Sequence, residues 1–285
     1  MLNTDLNQAS IAILYIATGR YTVFWQHFYE SAEKNLLRSN KKHYFVFTDD
    51  AALLNKSNLS NVTYIQQEKL GWPYDTLMRF EIFLSQKDKL KEYDFVFFFN
   101  ANTEIVKEVT SKEFLPEKQD ENLIFALQPH SFHKRIDKFT YDRNPESTAY
   151  IDYNSGKFYF TGALNGGRCQ DYLNMCETLN KNTKIDLENN VIALWHDESH
   201  LNKYALNRED IKILPAYFTR GETEYWKKSA KIMFSDKSHF RFGGHAYLRS
   251  ETNEKITEND WLKTKSLHKK RYAFRLKQYI KSFLL

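Results

Sequence analysis

The chain has 285 residues, of which 42% are hydrophobic and 27% charged, an ordinary composition for a globular protein. This length suffices for one sizeable α/β domain with at most an appendage. Aromatic residues make up 16%, which predicts an aromatic core, and only 9 Gly and 5 Pro exclude a low-complexity chain.

Positive charge is concentrated at the C-terminus. Trp261 to Leu285 carry eight Lys or Arg and no acid, which leaves 33 bases and 36 acids in residues 1–260. A nearly neutral body excludes a body-wide nucleic-acid surface. We therefore predict one domain over residues 1–250, followed by a basic tail over residues 251–285.

Three features predict a cytoplasmic protein. The N-terminal MLNTDLNQAS lacks the basic and apolar regions of a signal peptide, and no apolar run reaches the roughly 20 residues that span a bilayer. Cys169 and Cys176 lie in one predicted helix, with backbones about 10 Å apart and beyond disulfide reach. Free thiols are typical of a reducing compartment.

Strands and helices alternate along the first half of the chain. Helical spacing of apolar residues covers 21–37 and 75–93, with Asp75 as the expected N-cap of the second helix. Apolar runs predict strands at 11–17, 43–49, 62–67 and 123–129, and another at the start of YDFVFFFNANTEIV (93–106). This order predicts an α/β fold with a mixed, mostly parallel sheet.

The second half is less regular. A strand at 157–167 passes into a glycine-rich turn, helices are predicted at 168–181 and 188–206, and 207–250 is loop-like. Gly162, Gly166 and Gly167 would let the backbone approach a ligand, although the cluster alone is a weak signal. Basic residues follow in the last of these regions, where Lys237, Arg241 and Arg249 could close over an anion.

The strand at 93–106 ends on two amides, Asn100 and Asn102. Ligands of α/β sheets bind where the carboxyl ends of the strands open into a crevice. Amides suit hydroxyl and phosphate oxygens, but they are poor replacements for carboxylates at a hard divalent cation.

The segment WHDESHLNKY (195–204) admits two chemical interpretations. His196 and His200 are four residues apart, as in a zinc helix, but Asp197 stands where such helices carry Glu. The alternative is that Asp197 and Glu198 form a carboxylate pair at a helix start, able to grip hydroxyls or stabilise a positive charge.

Taken in order, seven segments between residues 11 and 250 resemble glycosyltransferase family six, the family of the blood-group A/B transferases and α1,3-galactosyltransferase. WHDESHLNKY and FTYDRNP are the most specific of them. The others are YTVFWQHFYESAEK, HYFVFTD, GWPYDTLMRF, FFFNAN and FYFTGALNGG.

The resemblance implies a GT-A-type, Rossmann-like single domain and a retaining transfer from a UDP-sugar to the 3-hydroxyl of a galactose-type acceptor. Vertebrate members carry Asp-x-Asp at the strand end and need manganese. This chain has Asn100-Ala101-Asn102 instead and resembles the bacterial branch, which works without a metal. We therefore expect UDP-Gal or UDP-GalNAc as donor, with fixed cations in place of a divalent metal.

The resemblance also implies roles by position. Glu198 is the implied catalytic acid, which faces the anomeric carbon and the acceptor. The implied acceptor contacts are Gln128, Trp195, His196 and Glu198. The implied donor contacts are Ile16, Ala17, Thr18, Tyr21, Arg79, Asn100, Asn102, Thr161, Gly162, Ala163, Asp197, Lys237 and Arg249.

Three details stay open at the level of sequence. Gln128 stands where relatives carry an acceptor-contacting His, so the 2-fucosylated oligosaccharide or glycolipid acceptor is a family expectation. Ala163 narrows the space for an acetamido group, yet a methyl-sized change discriminates by only about 1–3 kcal/mol. Glu198 can attack the anomeric carbon or stabilise an oxocarbenium-like state.

The basic tail predicts peripheral contact with an anionic inner leaflet, because it interleaves bases with apolar residues. A helix packed on the body, or a disordered tail, are the alternatives. A sugar- or UDP-binding protein without turnover is the rival function. We expect a UDP-sugar donor and a glycan acceptor as partners, and no nucleic acid.

Overall fold

The computed structural model describes residues 6–56, 59–131 and 134–269, with the backbone alone described over 265–269. Its strands are β1 (Ser10–Ile16), β2 (Lys41–Thr48), β3 (Val62–Gln66), β4 (Phe95–Phe99), β5 (Thr103–Ile105), β6 (Leu123–Leu127), β7 (Phe160–Arg168), β8 (Ile211–Leu214), β9 (Arg220–Gly221) and β10 (Ile232–Phe234). Its helices are α1 (Trp25–Asn35), α2 (Ala51–Leu54), α3 (Tyr74–Leu77), α4 (Arg79–Leu84), α5 (Lys87–Leu90), α6 (Ser111–Phe114), α7 (Cys169–Glu188), α8 (Asp197–Ala205), α9 (Gly244–Leu248) and α10 (Glu258–Lys269). Short 3-10 helices include Gly19–Phe24, Tyr225–Ser229 and Phe240–Phe242.

Parallel pairing dominates the main sheet, whose strand order is β3-β2-β1-β4-β7-β6-β8. β1 is parallel to β2 and β4, β2 to β3, and β6 to β8, whereas β7 is antiparallel to β4 and β6. β5, β10 and β9 form a second, smaller sheet. The predicted mixed, mostly parallel α/β fold is confirmed.

Of the three glycines predicted to let a ligand approach the backbone, Gly166 and Gly167 are instead packed against neighbouring parts of the sheet. A Cβ on Gly166 would lie 2.1 Å from the Phe97 ring, and one on Gly167 would lie 2.4 Å from the Asn122 carbonyl. Glycine is needed at these two positions because β7 runs between β4 and β6, whose atoms leave no room there for a Cβ. Of the three, only Gly162 lies beside the acidic residues described below.

The core is aromatic, as predicted, and lies on both faces of the main sheet. Successive residues of β4 alternate between the faces: Phe97 and Phe99 join the cluster under α1, whereas Phe98 joins the cluster under α4 and α7. Phe28 of α1 stacks on Tyr15 of β1 with ring centroids 4.6 Å apart. The two cysteines are free thiols buried on α7, as predicted.

The predicted helix at 75–93 is instead three short helices, α3 to α5. Asp75 is not an N-cap, because Pro73 occupies that position. The Asp75 carboxylate accepts hydrogen bonds from the Leu70 and Gly71 backbone N–H groups, at 2.7 and 3.1 Å. It therefore holds the turn that precedes the helix.

The predicted helix at 188–206 was wrong over its first half. α7 continues to Glu188, and α8 begins only at Asp197. Asn190 and His196 have positive φ values, 58° and 54°, which are incompatible with a right-handed helix. The loop-like interpretation of 207–250 was also wrong in part, since β8, β9, β10 and α9 lie there.

The topology brings distant segments to one edge of the sheet. The parallel strands β1 and β4 end there, which places Ala17 and Asn100 at this edge. β7 begins there because it runs in the opposite direction, and its Ala163 carbonyl accepts a hydrogen bond from the Asn100 backbone N–H at 2.9 Å. α8 packs beside β7.

The predicted basic tail begins in the described region as α10. Trp261 packs against His239, with ring centroids 4.1 Å apart. Residues 270–285 lie outside the described residues, so the domain division at 250 stays a prediction. Within the described residues, we find no helix with the length and apolar character needed to span a membrane.

Candidate active site

The acidic pair lies at the start of α8. Asp197 is buried and Glu198 is partly buried. His196 occupies the N-cap position with φ 54° and ψ −123°, a conformation that residues other than glycine rarely adopt. The preceding loop is fixed by hydrogen bonds from the Leu194 N–H to Asp142 and from the Trp195 N–H to Ser199. Both acids therefore point from a fixed turn into the edge of the sheet.

Asp197 forms a buried ion pair with Arg79 of α4. The same guanidinium donates to the Gly162 carbonyl at 3.1 Å and lies 4.2 Å from the centroid of the Phe98 ring. Burial raises the pKa of Asp197 to about 6, and Arg79 opposes the shift. Asp197 is therefore ionised at neutral pH.

Both oxygens of Glu198 accept hydrogen bonds from the protein. The Tyr159 hydroxyl donates to Oε1 at 2.7 Å, and the Gly162 N–H donates to Oε2 at 2.8 Å. Burial raises the pKa of Glu198 to about 7. Gly162 allows this arrangement, since a Cβ there would lie 2.9 Å from Asp197 Oδ2 and 3.2 Å from Glu198 Cβ.

The charges of Arg79 and Lys237 act on Asp197, and Arg249 lies close enough to Lys237 to act on it in turn. Lys237 has a pKa lowered to about 8 by burial and by the charges of Arg79 and Arg249, while Asp197 opposes the shift. Arg249 lies 3.9 Å from the centroid of the Trp72 ring. Arg241, which the sequence grouped with them, forms an ion pair with Glu222 instead.

The two amides of the strand end have different surroundings. Asn102 is buried; its Nδ2 donates to the Ser235 carbonyl at 2.7 Å, and the Ser235 N–H donates to the Asn102 carbonyl at 2.8 Å. Asn102 Oδ1 has no partner among the described residues. Asn100 is partly buried. Asn102 thus holds the segment that leads to Lys237 through two hydrogen bonds with Ser235.

The donor contacts predicted at Ile16, Ala17, Thr18 and Tyr21 lie at and just after the end of β1. Thr18 is buried, and the Ala17 N–H donates to the Phe47 carbonyl at 2.8 Å. Tyr21 lies in the next 3-10 helix, where its hydroxyl contacts Arg249 and its ring centroid lies 5.9 Å from Lys237 Nζ. Burial raises the pKa of Tyr21. Ile16, the last residue of β1, is partly buried.

The predicted acceptor residues lie on the Glu198 side. The Gln128 N–H donates to the Tyr159 carbonyl at 2.9 Å, which places it next to the residue that contacts Glu198. Trp195 is 48% exposed, and the His196 ring meets the edge of Trp72 with centroids 4.7 Å apart. Thr161 and Ala163 flank Gly162 on β7. The predicted residues Thr161, Gly162 and Ala163 thus lie on the same strand, and Gly162 contacts both acids.

The residues present do not fit a zinc or a manganese site. His200 is buried and lies 3.7 Å from Asp186 of α7, inside the protein, so His196 and His200 do not form a pair. The described residues contain no group of three or more His, Cys, Asp or Glu side chains that could hold a metal ion. The strand end offers neutral amides, and nearby cations would repel a divalent ion.

Sequence reasoning missed three residues of this site. Tyr159 contacts Glu198, and Trp72 stacks with Arg249. Arg20 donates to the carbonyls of Tyr247 and Thr252, at 2.7 and 2.6 Å. All three stand inside or beside the quoted motifs, but their roles depend on contacts with distant segments.

Comparison with known proteins gives consistent results. A model of the family described as Glycosyltransferase family 6 matches residues 2–239. The chain is 34% identical to the O-antigen biosynthesis glycosyltransferase WbnI of Escherichia coli over 82% of this chain and 98% of that protein. It is 28% identical to the Histo-blood group ABO system transferase 2 of Rattus norvegicus, over 79% and 68%. It is 29% identical to the Globoside alpha-1,3-N-acetylgalactosaminyltransferase 1 of Mus musculus, over 79% and 65%.

Proposed function

The chain belongs to glycosyltransferase family 6 and is a hexosyltransferase, and from this we propose that it is a retaining, metal-independent α1,3-glycosyltransferase. It moves galactose or N-acetylgalactosamine from a UDP-sugar to the 3-hydroxyl of a galactose-type, 2-fucosylated acceptor. The two donors stay equal alternatives, because Ala163 changes the donor pocket by only one methyl group.

One observation carries this proposal: a carboxylate pair and three cations face each other at the carboxyl edge of the sheet. UDP-sugars join a diphosphate to an anomeric carbon, so they need positive charge at one end and a carboxylate at the other. Lys237, Arg249 and Arg79 supply the first, while Asp197 and Glu198 supply the second. Ile16 to Tyr21 then lie where the nucleoside would follow.

Metal independence is supported by the charges of the site. A leaving UDP develops negative charge that a divalent ion would otherwise stabilise. Burial lowers the pKa of Lys237 most, and the nearby charges of Arg79 and Arg249 lower it further, so these like charges repel one another. A diphosphate would relieve that repulsion, and Asn102 holds the segment that carries Lys237 in place.

Glu198 can act by either of two balanced routes. In the first, its carboxylate oxygen attacks the anomeric carbon as the bond to UDP breaks; the acceptor oxygen then displaces the Glu198 carboxylate, and its proton passes to a phosphate oxygen of the UDP released in the first step. In the second, the acceptor oxygen enters on the face that UDP leaves, and its proton passes to the departing phosphate oxygen. Glu198 then stabilises the positive charge of the sugar.

The acceptor side supports a glycan rather than water as the second substrate. Trp195 and Trp72 are about half exposed, and such rings suit stacking on sugars. Gln128 lies on the same side, and its amide can both donate and accept hydrogen bonds. Contact of the tail with an anionic leaflet, and a cytoplasmic location, stay predictions.

The rival function, binding without turnover, is separated from transfer by one experiment. The enzyme is incubated in excess EDTA with UDP-Gal or UDP-GalNAc and 2′-fucosyllactose, and released UDP is measured. We expect acceptor-dependent release with at least one donor, and none with the Glu198→Gln variant. Activity that requires added Mn²⁺ would contradict metal independence. UDP binding without release from either donor would favour the rival.

A further inference from the structure

Among the described residues, Tyr159 is the only one whose side chain donates a hydrogen bond to the Glu198 carboxylate. Its hydroxyl lies 2.7 Å from Oε1, and the other oxygen is held by the Gly162 backbone N–H. Two donors on two oxygens fix the plane of the carboxylate. One of these donors is backbone, so Tyr159 is the part of this arrangement that substitution can remove.

The hydroxyl of Tyr159 is itself held in place. The side chain is buried, and its ring packs at 5.4 Å from Tyr141 and 6.0 Å from Phe139. Its carbonyl accepts the hydrogen bond from Gln128 on the acceptor side. Phe139 and Tyr141 also contact each other, with ring centroids 5.4 Å apart, so the Tyr159 ring is one member of a packed aromatic cluster that restrains its hydroxyl beside Glu198.

Tyr159 also has a second acceptor within reach. The Thr140 carbonyl oxygen lies 3.3 Å from the same hydroxyl, and one hydroxyl carries one proton. With Glu198 ionised, the proton points at Oε1; with Glu198 protonated, it can turn to Thr140. The hydroxyl therefore keeps a partner in both states while favouring the charged carboxylate.

We infer that Tyr159 is a positioning residue for the proposed transfer: its hydroxyl orients the Glu198 carboxylate and keeps it ionised. Its ring also packs with Phe139 and Tyr141 in one aromatic cluster, which holds the hydroxyl in place. This inference rests on the proposed role of Glu198 in transfer, and a purely structural Tyr would not change the ionisation of that carboxyl.

The test compares Tyr159→Phe with the unaltered enzyme. Removing a hydrogen bond to the charged form raises the pKa of a carboxylate. We expect the acid limb of the pH profile of kcat/KM to move up by about one pH unit. We also expect kcat to fall about 10²-fold, with KM for the UDP-sugar changed less than threefold.

Tyr141→Phe is the matched control. Its hydroxyl donates to the Phe158 carbonyl in the same cluster and has no recorded contact with Glu198. This variant should keep the acid limb of the unaltered enzyme. An acid limb that moves equally in both variants, or in neither, would overturn the inference.

A readout without turnover separates this inference from the proposed function. ¹³C NMR of enzyme labelled at the glutamate carboxyls follows the titration of Glu198, assigned by comparison with Glu198→Gln. A higher pKa in Tyr159→Phe supports the inference even if no acceptor is turned over, and an unchanged pKa rejects it. Absence of transfer by the unaltered enzyme would reject the proposed function alone.

Discussion

At the residue scale, the site shifts the pKa values of two ionisable groups towards neutral pH, one upwards and one downwards. Burial disfavours the charged form of each group, so it raises the pKa of Glu198 to about 7 and lowers that of Lys237 to about 8. The carboxylate is needed at the anomeric carbon, and the ammonium is needed at the diphosphate. Both groups are charged together only over a narrow range of pH.

We therefore expect kcat/KM for the UDP-sugar to pass through a maximum between about pH 7 and 8. It rises with pH as Glu198 loses its proton and falls again as Lys237 loses its own. Lys237→Arg removes the alkaline limb, since arginine stays protonated throughout. The absolute rate also falls, because a larger side chain must fit. Initial rates between pH 5.5 and 10 measure both limbs.

Lys42→Arg provides the control for this pH profile. Lys42 is also a lysine whose pKa is lowered mainly by burial, but it lies on β2 and pairs with Glu33 at 3.5 Å. The Lys42→Arg variant should keep both the acid and the alkaline limb of the pH profile. If Lys237→Arg also kept the alkaline limb, then another group would carry it and the proposed role of Lys237 would be wrong.

At the element scale, Asp186 holds the break between α7 and α8. It is buried on α7, accepts hydrogen bonds from Ser147 Oγ and the Thr148 N–H at 2.7 Å each, and lies 3.7 Å from His200 of α8. Its own carbonyl accepts from the Val191 N–H, which turns the chain out of the helix. One residue thus ties α7, α8 and the segment at 147–148 together.

We expect Asp186→Ala to lower the free energy of unfolding by about 3 kcal/mol, because it leaves two buried donors without partners. Urea denaturation with an unchanged m-value measures the loss. Glu188→Ala, an exposed change on the same helix, should stay within about 0.5 kcal/mol of the unaltered protein. Equal midpoints for the two variants would contradict this account of the break.

Local pattern explains which elements the sequence predicted. Strands such as IAILYI and FVFFF are long apolar runs, and the α/β order follows from them. By contrast, β9 has two residues and β10 three, and they exist through pairing with each other and with β5. No periodicity can be detected in such short segments.

The candidate site likewise contains residues that the sequence could identify and residues that only the structure reveals. Asp197 and Glu198 are adjacent in one motif, so the acids could be identified from sequence. Tyr159 acts on Glu198 from 39 residues away, and Arg20 contacts Tyr247 from 227 residues away. Such partners are fixed by the topology of the sheet, which a single sequence does not display.

At the scale of the whole molecule, the segment that follows β1 is joined to the C-terminal segment at 244–256. Arg20 donates to the carbonyls of Tyr247 and Thr252 and to the Asn253 side chain, and its guanidinium lies 3.8 Å from the Tyr247 ring centroid. Lys69 Nζ donates to the Arg249 carbonyl at 2.6 Å. These contacts hold Arg249 over Trp72, where it would face a diphosphate.

Arg20→Ala should therefore weaken UDP binding even though Arg20 has no recorded contact with the acids of the site. We expect the Kd for UDP, measured by calorimetry, to rise about tenfold, or about 1.4 kcal/mol. Limited proteolysis within residues 244–256 should also become faster, because three hydrogen bonds that hold this segment are lost. Arg38→Ala is the control, since the Arg38 side chain is 64% exposed and lies 3.9 Å from Glu108. UDP affinity and cleavage equal to those of the control would mean that Arg249 is positioned from Lys69 and Trp72 alone.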